Sequence, residues 1–137
     1  MIVLDTNVLS EPLRTQPDPG VLRWLTALED DVRITAVSAG ELLTGIATLP
    51  SGRRRTELSA DVAALLDRFG DRVLPYDLDA ARAYADLRAE RRRRGVALSV
   101  EDGMIAAICR VNSARLATRN VRDFGGLGLE ILDPWAG

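Results

Sequence analysis

The chain has no histidine, no lysine and a single cysteine. Without histidine there can be no Ser–His–Asp triad, no Cys–His pair and no imidazole acid–base pair. Carboxylates, hydroxyls, arginines and bound metal ions are what remain for chemistry. One cysteine excludes an internal disulfide and a cysteine-rich zinc site. Cys109 ends the apolar run Met104–Cys109 and reads as a core residue, since free cysteine packs as a small hydrophobe. All 18 basic residues are arginine. A coding bias in a GC-rich genome accounts for this, although arginine's planar fork of donors also suits phosphate. A net charge of −2 excludes a generic polycation, so any nucleic-acid binding must come from local arginine patches and bound cations. No apolar run approaches the ~18 residues of a membrane span. The first run, Met1–Leu4, is broken by Asp5, so no signal-peptide core is expected and the cytoplasm is the default compartment.

A length of 137 residues suits one domain, 1–137, with one sizeable core. Ile2–Leu4 reads as a short buried strand followed by a turn at Asp5-Thr6-Asn7. A helix is expected from about Asp18 to Glu29 and a second strand over Val32–Thr35. Ala39, Leu42, Leu43, Ile46 and Leu49 recur at helical spacing from Ala36 to about Thr48, before Pro50-Ser51-Gly52 breaks the pattern. Leu58, Val62, Leu65, Leu66 and Phe69 form the stripe of a helix over Arg53–Phe69. A short strand follows at Val73–Pro75. A long helix, Leu78–Arg94, closes on Gly95, a good C-cap residue, and Ser99 caps another over Val100–Val111. Arg115–Thr118 and Glu130–Leu132 complete about five strands. Helices separate most strands, so the fold class is α/β, with a central parallel sheet covered by helices on both faces.

Four carboxylates stand where charge is costly unless paired or metal-bound. Asp5 ends the first strand, Glu41 lies inside an apolar helix, Asp102 heads another, and Asp123 precedes Phe124. In an open parallel sheet, ligands bind beyond the carboxyl ends of the strands. Asp5, Asn120 and Asp123 fall there, and Glu41 and Asp102 lie near helix N-termini that share that rim. Each has an ordinary alternative. Ser38-x-x-Glu41 and Ser99-x-x-Asp102 both fit a capping box, Asp5 suits a turn, and Asp123 suits a loop. Two features favour a site. The Asp102 helix is apolar almost all round, and Glu41 shares its face with Gly40, Thr44 and Gly45, which leave a hollow. Clustered carboxylates favour hard divalent cations such as magnesium or manganese, which can activate water and steady a leaving phosphodiester oxygen.

Two arginine runs stand apart. Arg91–Arg94 ends a helix, where the dipole favours cations, so a solvated terminus is expected. Arg53–Arg55 begins a helix, the wrong end for that account, which favours a phosphate or acidic partner.

Ile2–Pro12, Ile34–Gly45, Leu98–Ala107, Ala117–Phe124 and Asp133-Pro134-Trp135 together resemble the PIN-domain proteins of the VapC/FitB type, toxins of bacterial toxin–antitoxin pairs. The resemblance spans nearly the whole chain. It implies a PIN-like, Rossmannoid fold and a Mg2+- or Mn2+-dependent endoribonuclease. Asp5, Glu41 and Asp102 match the family's acidic positions as metal ligands and catalytic residues. The fourth position falls to Asp123 or to Asn120, because this chain has Asn120 where some members carry aspartate. Thr6, Asn7 and Thr118 would orient the carboxylates, and Arg119 and Arg122 are candidates for RNA backbone contact. The resemblance also implies a homodimer and a cognate antitoxin docking on the helical pair between Ala36 and Phe69. DNA would be bound only through the antitoxin, and no membrane is involved. The alternative is a catalytically weak module of the same fold, acting as the antitoxin-binding half of a DNA-binding complex; Asn120 in place of an acid favours it. A haloacid-dehalogenase-like phosphatase would want a second aspartate at position 7, which is Asn7. A receiver domain would want a lysine, and there is none.

Overall fold

A computed structural model describes residues 1–136. The strands are β1 (Ile2–Leu4), β2 (Val32–Thr35), β3 (Val73–Leu74), β4 (Arg115–Ala117) and β5 (Ile131–Leu132), in the order β3-β2-β1-β4-β5. Every neighbouring pair is parallel. The helices are α1 (Thr6–Ser10), α2 (Pro19–Ala27), α3 (Ala36–Ala47), α4 (Arg53–Phe69), α5 (Leu78–Arg94) and α6 (Val100–Val111). Two 3₁₀ turns, Glu11–Leu13 and Gly70–Arg72, join them.

Alternation along β1 assigns the two faces, because successive strand side chains point to opposite sides. Val3 enters a core with Leu87, Ile105, Ile108, Leu116 and Phe124, beneath α5 and α6. Ile2 and Leu4 enter a second core with Val8, Leu9 and Ile34, onto which Trp24, Leu25, Leu65 and Phe69 pack. Helices therefore cover both faces, as the pattern of elements led us to expect. α6 is the most deeply sunk helix: Ile105 through Cys109 are all buried. Burying each isoleucine there contributes about 1.5–3 kcal/mol. Cys109 is core, and burial pushes its thiol up to about 12, which makes it no nucleophile.

Most elements end within a residue or two of expectation. Gly95 takes the left-handed conformation (φ 67°) that closes α5. Three expectations are corrected. Asp5-Thr6-Asn7 is not a turn but the start of α1; Asp5 is its N-cap, accepting the Thr6 N–H at 2.8 Å. Five residues carry too little periodicity to show a helix in sequence. Ser38 does not cap the Glu41 helix. Thr35 does, accepting the Ser38 N–H at 3.0 Å, while Ser38 sits buried one turn inside. Arg91, expected in solvent with its run, is only 4% exposed.

Candidate active site

β1 and β4 are neighbours at the middle of the sheet, with Leu4 paired to Ala117. The next residue on each strand is Asp5 and Thr118. The Asp5 N–H extends the ladder to the Ala117 carbonyl at 2.9 Å. Register alone therefore sets the two side chains together at the carboxyl end of the sheet, and Thr118 Oγ1 donates to Asp5 Oδ2 at 2.7 Å. Asp5 is 3% exposed. Its carboxylate also accepts from the Thr6 N–H and, at 3.3 Å, from Asn7 Nδ2. Burial raises its carboxyl above the ordinary aspartate value, while the bonds from Thr118, Thr6 and Asn7 pull it back.

The residues around Asp5 brace one another. Thr118, fully buried, also takes the Asn120 N–H at 3.0 Å. Asn7 Oδ1 accepts the Arg119 N–H at 3.2 Å, which fixes the chain leaving β4 to the start of α1. On the opposite side, Thr6 Oγ1 lies 2.8 Å from Glu41 Oε1 and 2.9 Å from Ser38 Oγ. A hydroxyl has one proton to give. Serving the carboxylate with it, Thr6 receives the Ser38 proton in turn. Ser38 was not legible in sequence because its spacing to Glu41 mimicked a cap.

Glu41 stands at the edge of an open hollow of about 530 Å3 lined by Val37, Gly40, Thr44, Gly45 and Glu101. A Cβ added at Gly40 or Gly45 would meet nothing within 4 Å, so these small residues do leave space. Partial burial raises the Glu41 carboxyl; the Thr6 bond opposes this, and the charges of Asp5, Asp102 and Glu101 reinforce it. Asp102 lies in the first turn of α6, half-buried, with its N–H held by the Ser99 hydroxyl at 3.1 Å. Its carboxyl is raised by burial, then by the charge of Asp5, against a hydrogen bond from Ser99, and further by Asp123 and Glu101. Asp5, Glu41 and Asp102 thus share one electrostatic environment, and Asp123 reaches it from the turn after Asn120. Glu101, unremarked in the sequence, belongs to the same field; its exposed place beside Asp102 gave it the look of a solvated helix residue.

Among the described residues, six ion pairs form, and none involves Asp5, Glu41, Asp102 or Asp123. None of these four carboxylates therefore has an arginine within ion-pair distance. All the donors are oxygens, which suits a hard divalent cation. Among the described residues, no three acidic side chains form a ready-made metal cage. Direct ligation by one or two of these carboxylates, with waters between the ion and the others, is an arrangement that magnesium commonly takes.

Asn120, Arg119 and Arg122 are exposed on the segment leaving β4, and the Arg119 guanidinium covers the Trp135 ring at 5.1 Å. Beside Glu41 runs an apolar groove of about 310 Å3 between α3 and α4, walled by Leu42, Ile46, Leu49, Leu58 and Val62, with Arg54 at its margin. Arg53 is spent on an exposed pair with Glu57 at 2.9 Å. No described helix is long and apolar enough to cross a membrane.

Residues 2–125 match the family model described as the PIN domain. The chain is 41% identical to the VapC ribonuclease Y4jK of Sinorhizobium fredii, over 98% of both chains. It is 37% identical to the toxin FitB of Neisseria gonorrhoeae, over 98% of this chain and 99% of that one. The crystal structure of FitAcB from the same organism superposes with a TM-score of 0.93 at 37% identity, covering 98% of this chain and 99% of that one.

Proposed function

This chain belongs to the PIN-domain family, alongside the VapC and FitB toxins, and from that premise we propose that it is a Mg2+- or Mn2+-dependent endoribonuclease, the toxin half of a toxin–antitoxin pair. The observation that carries the reading is Asp5: a carboxylate 3% exposed, bonded only by neutral donors, and sharing its environment with Glu41 and Asp102. An ionised carboxylate in such a place is costly without a cation.

In this reading Asp5, Glu41 and Asp102 hold the ion, and Asp123 or Asn120 completes its surroundings. When bound, the ion would lower the pKa of a coordinated water and offset charge on the phosphate, tasks for which this chain has no histidine. The protein's own part is orientation. Thr118 and Asn7 both donate to Oδ2 of Asp5, while the Thr6 N–H fixes Oδ1. Thr6, backed by Ser38, fixes one oxygen of Glu41. Ser99 anchors the turn that carries Asp102. Holding ligands this way matters because a carboxylate free to rotate loses the geometry its ion requires. Arg119 and Arg122, exposed on the segment leaving β4, are the candidates to meet RNA phosphates without reading sequence.

The apolar groove between α3 and α4 supports an antitoxin partner. Its wall offers Leu42, Ile46 and Leu58 to an apolar segment, and Glu41 at its edge offers a carboxylate to an arginine. A chain bound there would cover the acids, and DNA would be engaged through that partner.

The test is to incubate antitoxin-free protein with total RNA and Mg2+ and to sequence the new ends. Defined ends that vanish on chelation and in Asp5→Asn and Asp102→Asn support the reading. RNA left intact by the wild type would favour the catalytically weak module instead.

A further inference from the structure

The run Arg91–Arg94 closes α5, and its first member departs from the rest. Arg92, Arg93 and Arg94 are exposed, whereas Arg91 is 4% exposed. A buried guanidinium is costly unless its donors are met. Among the described ion pairs Arg91 has no carboxylate. Its donors go to three backbone carbonyls instead. Nη1 donates to Ala97 O at 3.2 Å, and Nη2 donates to Asp123 O at 2.9 Å and to Gly125 O at 2.7 Å.

Those carbonyls lie on two separate segments. Ala97 belongs to the loop that ends in Ser99, the cap of α6, three residues before Asp102. Asp123 and Gly125 belong to the turn after β4, in which the Asp123 N–H closes on Asn120 O at 3.1 Å and Phe124 is wholly buried. One side chain therefore ties the loop leading to Asp102 to the turn presenting Asp123. A guanidinium can do this because its planar fork reaches two directions at once; a lysine ammonium is a single point.

We propose that Arg91 is a positioning residue, bracing the Asn120–Gly125 turn against the α5–α6 loop so that Asp123 is held in register with Asp102. This rests on the metal-site reading above. The brace touches neither acid's carboxylate; it acts through the backbone that carries them.

Calorimetric titration with Mn2+ tests it, on the wild type, Arg91→Lys, the exposed control Arg92→Lys, Asp123→Asn and the double variant Arg91→Lys/Asp123→Asn, each with a melting curve. Arg91→Lys is expected to weaken Mn2+ binding by about tenfold, in the range seen when groups supporting metal ligands are lost. Arg92→Lys should leave it unchanged. Added to Asp123→Asn, Arg91→Lys should cost less than about twofold more, because residues acting through one another are not additive. A purely structural role would lower the melting temperature without that coupling. Wild-type affinity in Arg91→Lys overturns the proposal, as does an undiminished tenfold loss in the Asp123→Asn background. No Mn2+ binding by the wild type would sink the metal site and this role with it. Should Arg91→Lys fail to fold, Arg91→Gln, which keeps two donors, carries the same cycle.

Discussion

Replacing Thr118 with valine isolates the bond that ties the two central strands to the chemistry. Valine matches threonine in shape, and the site is fully buried, so no large cavity opens. What disappears is the 2.7 Å hydrogen bond to Asp5 Oδ2, together with the acceptor for the Asn120 N–H and for a long 3.4 Å bond from Asn7 Nδ2, which keeps its bond to Asp5. Asn120 is exposed, so water can take over its N–H. The bond to Asp5 has no substitute. A hydrogen bond to a charged group is worth about 1.5–3 kcal/mol. At about 3–5 °C per kcal/mol for a chain of this size, the melting temperature should fall by about 5–15 °C. The same loss lets the Asp5 carboxylate turn, and half-saturation by Mn2+ should rise by about 10- to 100-fold. Because the Thr118 bond holds the Asp5 carboxyl down, its removal should also move the acid limb of the cleavage profile to higher pH. Scanning calorimetry on Thr118→Val, in the wild type and in Asp5→Asn, separates the charged bond from general packing. Against a neutral amide the bond is worth about 0.5–1.5 kcal/mol, so the cost should shrink in Asp5→Asn. An equal cost in both backgrounds would refute the reasoning.

Three further outcomes are expected. Asp5 has a raised carboxyl in the fold, so it favours folding below the ordinary value of 3.8, and this contribution is lost as pH rises through the raised value. In metal-free protein, Asp5→Asn should therefore match the wild type in melting temperature at the acid end and exceed it increasingly toward neutral pH; a constant difference across pH would refute this. Ile108→Ala, at a fully buried position of α6, should cost about 2–5 kcal/mol by urea denaturation, and less than 1 kcal/mol would mean that α6 is not core. Cys109, buried with its thiol at about 12, should resist iodoacetamide in the native protein and react after unfolding; rapid native alkylation would contradict its burial.

Much of this arrangement was legible in the sequence because periodicity and chemistry agreed. The stripe Leu58, Val62, Leu65, Leu66, Phe69 and the Gly95 cap placed α4 and α5 to the residue. Asp5, Glu41 and Asp102 stood out as charges inside apolar context, and the structure brings them into one field. What escaped reading depended on distance in space. α1 is too short to show a period, so Asp5 looked like a turn rather than a cap. Ser38 imitated a capping residue, when its actual partner was Thr6, 32 residues away. Glu101 sits where any solvated helix would carry an acid. Arg91 was hidden by its three neighbours: four consecutive arginines read as one solvated terminus, and only the fold shows that the helix turns the first of them inward.

The proposed chemistry rests on Asp5, Glu41 and Asp102 together holding a divalent cation. Calorimetric titration of the antitoxin-free protein with Mn2+ at neutral pH tests it most directly. Saturable binding is expected in the wild type, lost in Asp5→Asn and Asp102→Asn or weakened by at least the roughly 10- to 100-fold that loss of supporting groups costs. Binding that survives both substitutions unchanged, or no binding by the wild type at millimolar Mn2+, would contradict it.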